Sequence, residues 1–181
     1  MSERGTQLFD TAYGQISELI GLFSERGEAA LSLRCPGREK LGDGTVAALA
    51  LHTADTYLRI AGFLQATSRM PAAQRRSHRI SRLFRTRGHT PPRHVEGGHD
   101  AGTHDRIYTA ENLDIPGVVE RLSAGRDALR LLTELTDEQL DTIPSAGSFR
   151  FCDGQRTLEQ VAASLLNHQG HQIDDMRAAV V

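Results

Sequence analysis

The sequence predicts an all-α protein, a four-helix bundle, on three observations. Four segments of about 20 residues carry apolar side chains at helical spacing. No segment alternates convincingly at period two; SFRFCD, residues 148–153, is the only short candidate, as one strand or a loop. At 181 residues with 39% hydrophobic content, the chain is long enough to bury a core without staples.

The first helix is expected over about 6–26, with Leu8, Ala12, Ile16, Leu19, Ile20 and Phe23 on one face. The second is expected over about 44–66, burying Val46, Leu49, Ala50, Tyr57, Ile60, Ala61 and Leu64. The third opens at DIPG, where Asp114 is the N-cap and Pro116 sits in the first turn. Its stripe runs Val118, Val119, Leu122, Leu129, Leu132 and Leu135. The fourth opens at RTLEQ, where Thr157 and Gln160 have capping-box spacing. It buries Leu158, Val161, Leu165, Ile173 and Met176.

Between these helices the connections are long. RCPGREKLGDG reads as an irregular crossing between the first two. Residues 67–114 form a longer excursion with five of the eight histidines, and eight arginines between Arg69 and Arg93. PAAQRRSHRISRLF reads as a basic helix packing through Ile80, Leu83 and Phe84; TRGHTPPRHVEGGHDAGTHD reads as loop. A crossover of that length allows the third helix to run in the same direction as the second. The whole chain, 1–181, is expected to be one domain carrying this excursion.

Composition narrows the function. Net charge is −2 and the arginine run lacks interleaved aromatics, so nucleic acid is not the expected partner. No window approaches the ~20 apolar residues of a membrane span, and the start MSERGTQLFD has no apolar signal core. Two cysteines, Cys35 and Cys152, far apart in sequence, fit a reducing cytoplasm rather than a disulfide.

The chemistry-bearing residues cluster in LEQVAASLLNHQGHQIDDM, residues 158–176. On a helical wheel of ~100° per residue, His168 and Gln172 lie at the edge of the apolar stripe, with His171 ~60° further round. His52 lies at the same kind of edge on the second helix, near Thr56 and Phe63. Helical bundles build metal sites from side chains that facing helices project to such edges, and neutral imidazole suits Zn, Ni, Cu and Fe. An HxxH pair alone is a weak signal, and solvated histidines at a helix edge are the plain alternative. His94, His99 and His104 recur every five residues and read as exposed polar positions of the loop.

LGDGTVAALALHTADTY resembles the second-helix segment of the DinB/YfiT-like superfamily, whose pattern has Ser/Thr at the helix start and His-x-x-Asp near its middle. Thr45, His52 and Asp55 match it; Gly44 stands where that family commonly has tryptophan. RTLEQVAASLLNHQGHQIDDM is similar to the family's last helix. The resemblance implies an up-down-down-up bundle and a divalent metal, held by one histidine of the second helix and two residues of the fourth. Relatives often space that last pair i, i+4, whereas His168 and His171 are i, i+3 and the i+4 place is Gln172. Asn167 with His171 is the alternative i, i+4 pair.

The expected ligands are therefore His52, His168 and His171, with zinc or nickel as the metal. Imidazole is preferred over the Gln172 amide because nitrogen suits these metals better. Asp55 is a candidate to orient the site from behind, with an exposed carboxylate near Arg59 as the plain alternative. The resemblance also implies a metal-dependent transferase or isomerase that uses a low-molecular-weight thiol such as mycothiol or bacillithiol. A small-molecule substrate, a homodimer and a cytoplasmic location accompany that expectation. The rival readings are a metal-binding stress or interaction protein of the same fold without turnover, and a divergent bundle that has lost the metal, which the i, i+3 spacing allows.

Overall fold

The computed structural model describes residues 2–39, 41–69 and 113–180. Those residues are all-α, with one isolated bridge between Arg34 and Thr45 and no strand. The basic helix expected within 70–112 and the histidines at 94, 99 and 104 lie outside the described residues.

Helix α1 spans Glu3–Arg26, α2 Val46–Ser68, α3 Ile115–Leu129, α4 Leu131–Glu134, α5 Asp137–Leu140 and α6 Leu158–Val180; a short 3-10 turn covers Glu28–Ser32. Their ends follow local chemistry. The Ser2 hydroxyl caps α1 by accepting from the Gly5 N–H, and Gly27, at φ 71°, ends it with its N–H donated to the Phe23 carbonyl. Thr45 caps α2 by accepting from the Ala48 N–H at 3.2 Å. Asp114 caps α3 through the Gly117 N–H, as the DIPG signal predicts. At α6 the capping box of Thr157 and Gln160 forms in both directions, at 3.0 and 3.3 Å.

The third helical stripe differs from the expected single helix. After Leu129 it continues through Arg130 as the short α4, turns extended at Leu135 and restarts as α5. Thr136 and Gln139 form a capping box at that restart, which ends one helix and opens the next. SFRFCD is a turn-rich loop rather than a strand.

The apolar stripes meet in one core. Ile16, Leu19 and Phe23 of α1, Leu49, Ile60 and Leu64 of α2, Leu122 and Leu129 of α3, and Leu158, Leu165 and Met176 of α6 are all fully or nearly fully buried within it. Helix α2 packs on α3 and α6, and α1 packs on α3 and α6. The α2–α3 contact is close because Gly125 lacks a side chain: a methyl there would stand 3.0 Å from the Tyr57 Cβ. Gly5 is tighter still, since an added Cβ would lie 2.2 Å from the Leu132 carbonyl oxygen. Gly44 holds φ 73° with the Glu39 Cα 3.1 Å from where its own Cβ would be, so a tryptophan cannot replace it in this turn. Among the described residues no helix is long and apolar enough to cross a membrane.

Candidate functional site at the α2–α6 mouth

Polar side chains interrupt the core where α2 faces α6. Thr53 and Gln172 are both buried, and the Thr53 hydroxyl donates to the Gln172 Oε1 at 2.9 Å. That bond orients the amide, so its Nε2 donates to the His168 Nε2 at 3.2 Å. Arg150 Nη1 reaches the same imidazole nitrogen at 3.1 Å. A guanidinium only donates, so the His168 Nε2 is an acceptor and the ring proton lies on Nδ1. Burial, reinforced by repulsion from Arg150 and then Arg38, His52 and His171, pushes the His168 pKa down to about 4. At neutral pH the ring is therefore uncharged, the protonation state that a metal ligand requires.

Arg150 comes from the loop between α5 and α6, and that loop has its own anchors. Phe149 stacks on Phe63 of α2 at 4.7 Å between centroids, and the Gly147 N–H donates to the Cys152 carbonyl at 2.8 Å. Phe151 adopts φ 66°, the left-handed region, at a cost of about 1–2 kcal/mol for a side chain with a Cβ. The turn places the Arg150 guanidinium 5.0 Å from the Phe151 ring centroid, and sets that ring edge-on to His168 at 6.3 Å. Arg38, from the crossing before α2, binds Asp175 of α6 through two nitrogens, at 2.8 and 2.5 Å.

The residues singled out in the sequence are distributed as follows. His52 and His168 come to the same mouth, on facing helices, close enough for His52 to disfavour a proton on His168. Gln172 is part of this cluster. His171 is exposed and lies round the helix, in a groove of about 260 Å³ between α1 and α6 lined also by Thr11, Gln15, Asn167 and Asp174. Its Nε2 is 3.4 Å from the Asn167 amide nitrogen, which makes a polar i, i+4 contact. Asp55 is partly buried and turned toward α3, where Arg121 stands 3.7 Å away. Arg59 lies over the Phe149 ring at 5.8 Å.

Among the described residues no three His, Cys, Asp or Glu side chains stand together as a metal-holding group. The fit to a divalent metal is thus specific but partial. Two imidazoles on facing helices, one of them held neutral, are suitable donors. Arg150 occupies the His168 lone pair and must withdraw before a cation can take it. A third donor comes from Gln172 after its amide turns over, or from His171 if α6 turns by roughly 60°.

Cys35 and Cys152 are free and buried, and burial pushes both thiols up from their ordinary pKa, so each remains protonated and inert at neutral pH. Thr53, Arg38, Arg150 and Phe151 were not visible as site residues in the sequence. Only the apolar-basic alternation of SFRF hinted at the loop that carries two of them. Neither a known family, nor a curated protein, nor a solved structure matches this chain.

Proposed function

We propose that this chain is a DinB/YfiT-like bundle that binds one divalent metal at the α2–α6 mouth and uses it in thiol-dependent transfer or isomerisation. The up-down-down-up order is part of that proposal, and pairwise contacts support it. Arg4 near the start of α1 pairs with Glu159 near the start of α6, and Glu18 further along α1 pairs with Arg177 further along α6. These two helices then run the same way. Gly5 lies against Leu132, just beyond the end of α3, so α3 runs opposite to α1. Ser68 at the end of α2 accepts from Gln139, while Arg38 before α2 pairs with Asp175 near the end of α6. Helix α2 is therefore opposed to α6 and parallel to α3, which the long crossover allows.

The observation that carries the functional reading is that His52 and a neutral His168 lie near each other on two facing helices. His52 and His168 are the proposed ligands, with zinc or nickel as the metal. For the third position His171 is the better donor and Gln172 the better placed. A bound metal would supply Lewis acidity that lowers the pKa of a small thiol and presents it as a nucleophile. The chain's own part is to hold His168 neutral, to orient it through Gln172 and Thr53, and to keep Arg150 beside the reacting region. Since Cys35 and Cys152 are protonated and buried, the reactive sulfur has to come from a separate small molecule such as mycothiol or bacillithiol.

A non-catalytic metal-binding protein of the same fold is the second reading; the Arg150 guanidinium on the His168 lone pair has to move under either one. Untagged protein is expected to purify with about one zinc or nickel per chain, by the stoichiometry of a single site. It should also turn over an electrophile with a low-molecular-weight thiol. Metal without turnover across a thiol panel would leave the second reading, and absence of metal would overturn both.

A further inference from the structure

The same mouth carries more cationic charge than its carboxylates neutralise. Arg38 has Asp175 as its partner. Arg150, among the described residues, has no carboxylate partner at all; its contacts are the His168 imidazole and the face of Phe151. Arg150 is exposed at the rim of this mouth, so its outward N–H groups remain open to a ligand.

The local design also aims the group. The aromatic face of Phe151 and the single acceptor on His168 fix the plane of the Arg150 guanidinium while using only one of its N–H donors. The remaining donors form a planar fork, the geometry that suits carboxylate and phosphate oxygens. The left-handed backbone at Phe151 keeps this presentation, and the Phe149–Phe63 stack ties the loop to α2.

We propose that Arg150, backed by Arg38, is the receptor for the anionic group of a small molecule, a carboxylate or a phosphate, entering between α2 and α6. This deepens the functional reading above by naming the chemical class of the substrate, and rests on the same mouth; in the metal-loaded chain Arg150 leaves the His168 nitrogen and is held by the Phe151 face. Arg150 supplies the fork and the net charge, and Arg38, paired with Asp175, stands behind it.

The test is calorimetric titration of the full chain with sodium succinate and, separately, inorganic phosphate, at fixed ionic strength against a chloride control. Wild type is expected to bind one anion per chain, and Arg150→Gln to weaken it at least ~10-fold, the loss of a charge-assisted pair. Arg150→Lys should recover only part of that, because an ammonium lacks the fork. Arg130→Gln, at the exposed end of α3, should change nothing. Tighter succinate would identify a carboxylate substrate, and tighter phosphate a phosphorylated one. Equal binding by Arg150→Gln, or no binding beyond chloride, would overturn the proposal. Repeating the titration after chelation separates the two readings. Anion binding lost with the metal removes the arginine receptor and leaves the metal site, whereas anion binding by a chain that never holds metal does the reverse.

Discussion

On one side of α2, Gly125 brings α3 so near that a methyl group would stand 3.0 Å from the Tyr57 Cβ; on the other side, Thr53 meets Gln172 through a 2.9 Å hydrogen bond. Both seams use the same helix, yet the first is closed by removing a side chain and the second by pairing polar ones. A glycine seam is dry and intolerant of added volume. A polar seam keeps directional groups at its rim, where they can receive a ligand. Buried polar pairs hold only when every member is satisfied, so the second seam is also the more sensitive to lost partners. The chain therefore separates the contacts that hold it together from the contacts available for chemistry.

The comparison breaks most visibly at its tight end. Gly5→Ala puts a methyl 2.2 Å from the Leu132 carbonyl, and is expected to lower stability by about 3 kcal/mol, the upper range for overpacking. Chemical denaturation measures it, and a wild-type midpoint would mean that α1 and α4 do not pack this closely. At the polar seam, His52→Ala with His168→Ala should take bound metal from one per chain to none while circular dichroism stays helical. Unchanged metal stoichiometry would move the site elsewhere.

A finer test ranks the third position. The sequence argument from donor chemistry expects His171→Ala to lower metal affinity at least ~10-fold with little effect of Gln172→Ala. The geometry, with Gln172 against His168 and His171 in the α1 groove, favours the reverse order. Competition titration with a metal indicator decides between them.

The pH dependence of stability probes the same seam without a metal. His168 titrates at about 4 in the folded chain and near 6.5 when unfolded. As pH falls, the unfolded state takes up this proton first, so the His168 contribution is full above 6.5 and is lost progressively toward 4. Partial exposure makes the slope shallow. His168→Gln should flatten it in chelated protein, and an unchanged slope would show that another group is responsible. The smallest effect is expected at the surface. Arg177→Ala, which removes exposed pairs to Glu18 and Asp174, should cost no more than about 1 kcal/mol in thermal or chemical unfolding.

Helix positions were legible in the chain because capping and periodicity are local. Asp114, Thr157 with Gln160, and the apolar stripe of α1 all act within four residues of themselves. The break after Leu129 was missed although its own capping box, Thr136 with Gln139, is equally local; the leucine spacing masked it. Periodicity put His52 and His168 at the edges of two stripes, and their pairing across those helices was an expectation from the family resemblance.

What the sequence by itself determined is therefore the all-α class, the capped starts of the helices at Asp114 and Thr157, and which faces are apolar, since each depends on local spacing. Only the tertiary structure decided that His168 meets Arg150, 18 residues away and across a left-handed turn, and that Arg38 meets Asp175, 137 residues away. The wheel already set Gln172 nearer the apolar stripe than His171; the tertiary structure decided what each meets, Thr53 and His168 for Gln172 and the groove beside α1 for His171. The reason is geometric: positions three and four residues apart diverge by only ~100° around a helix, and a wheel fixes their relative angle but not the direction of the neighbouring helix.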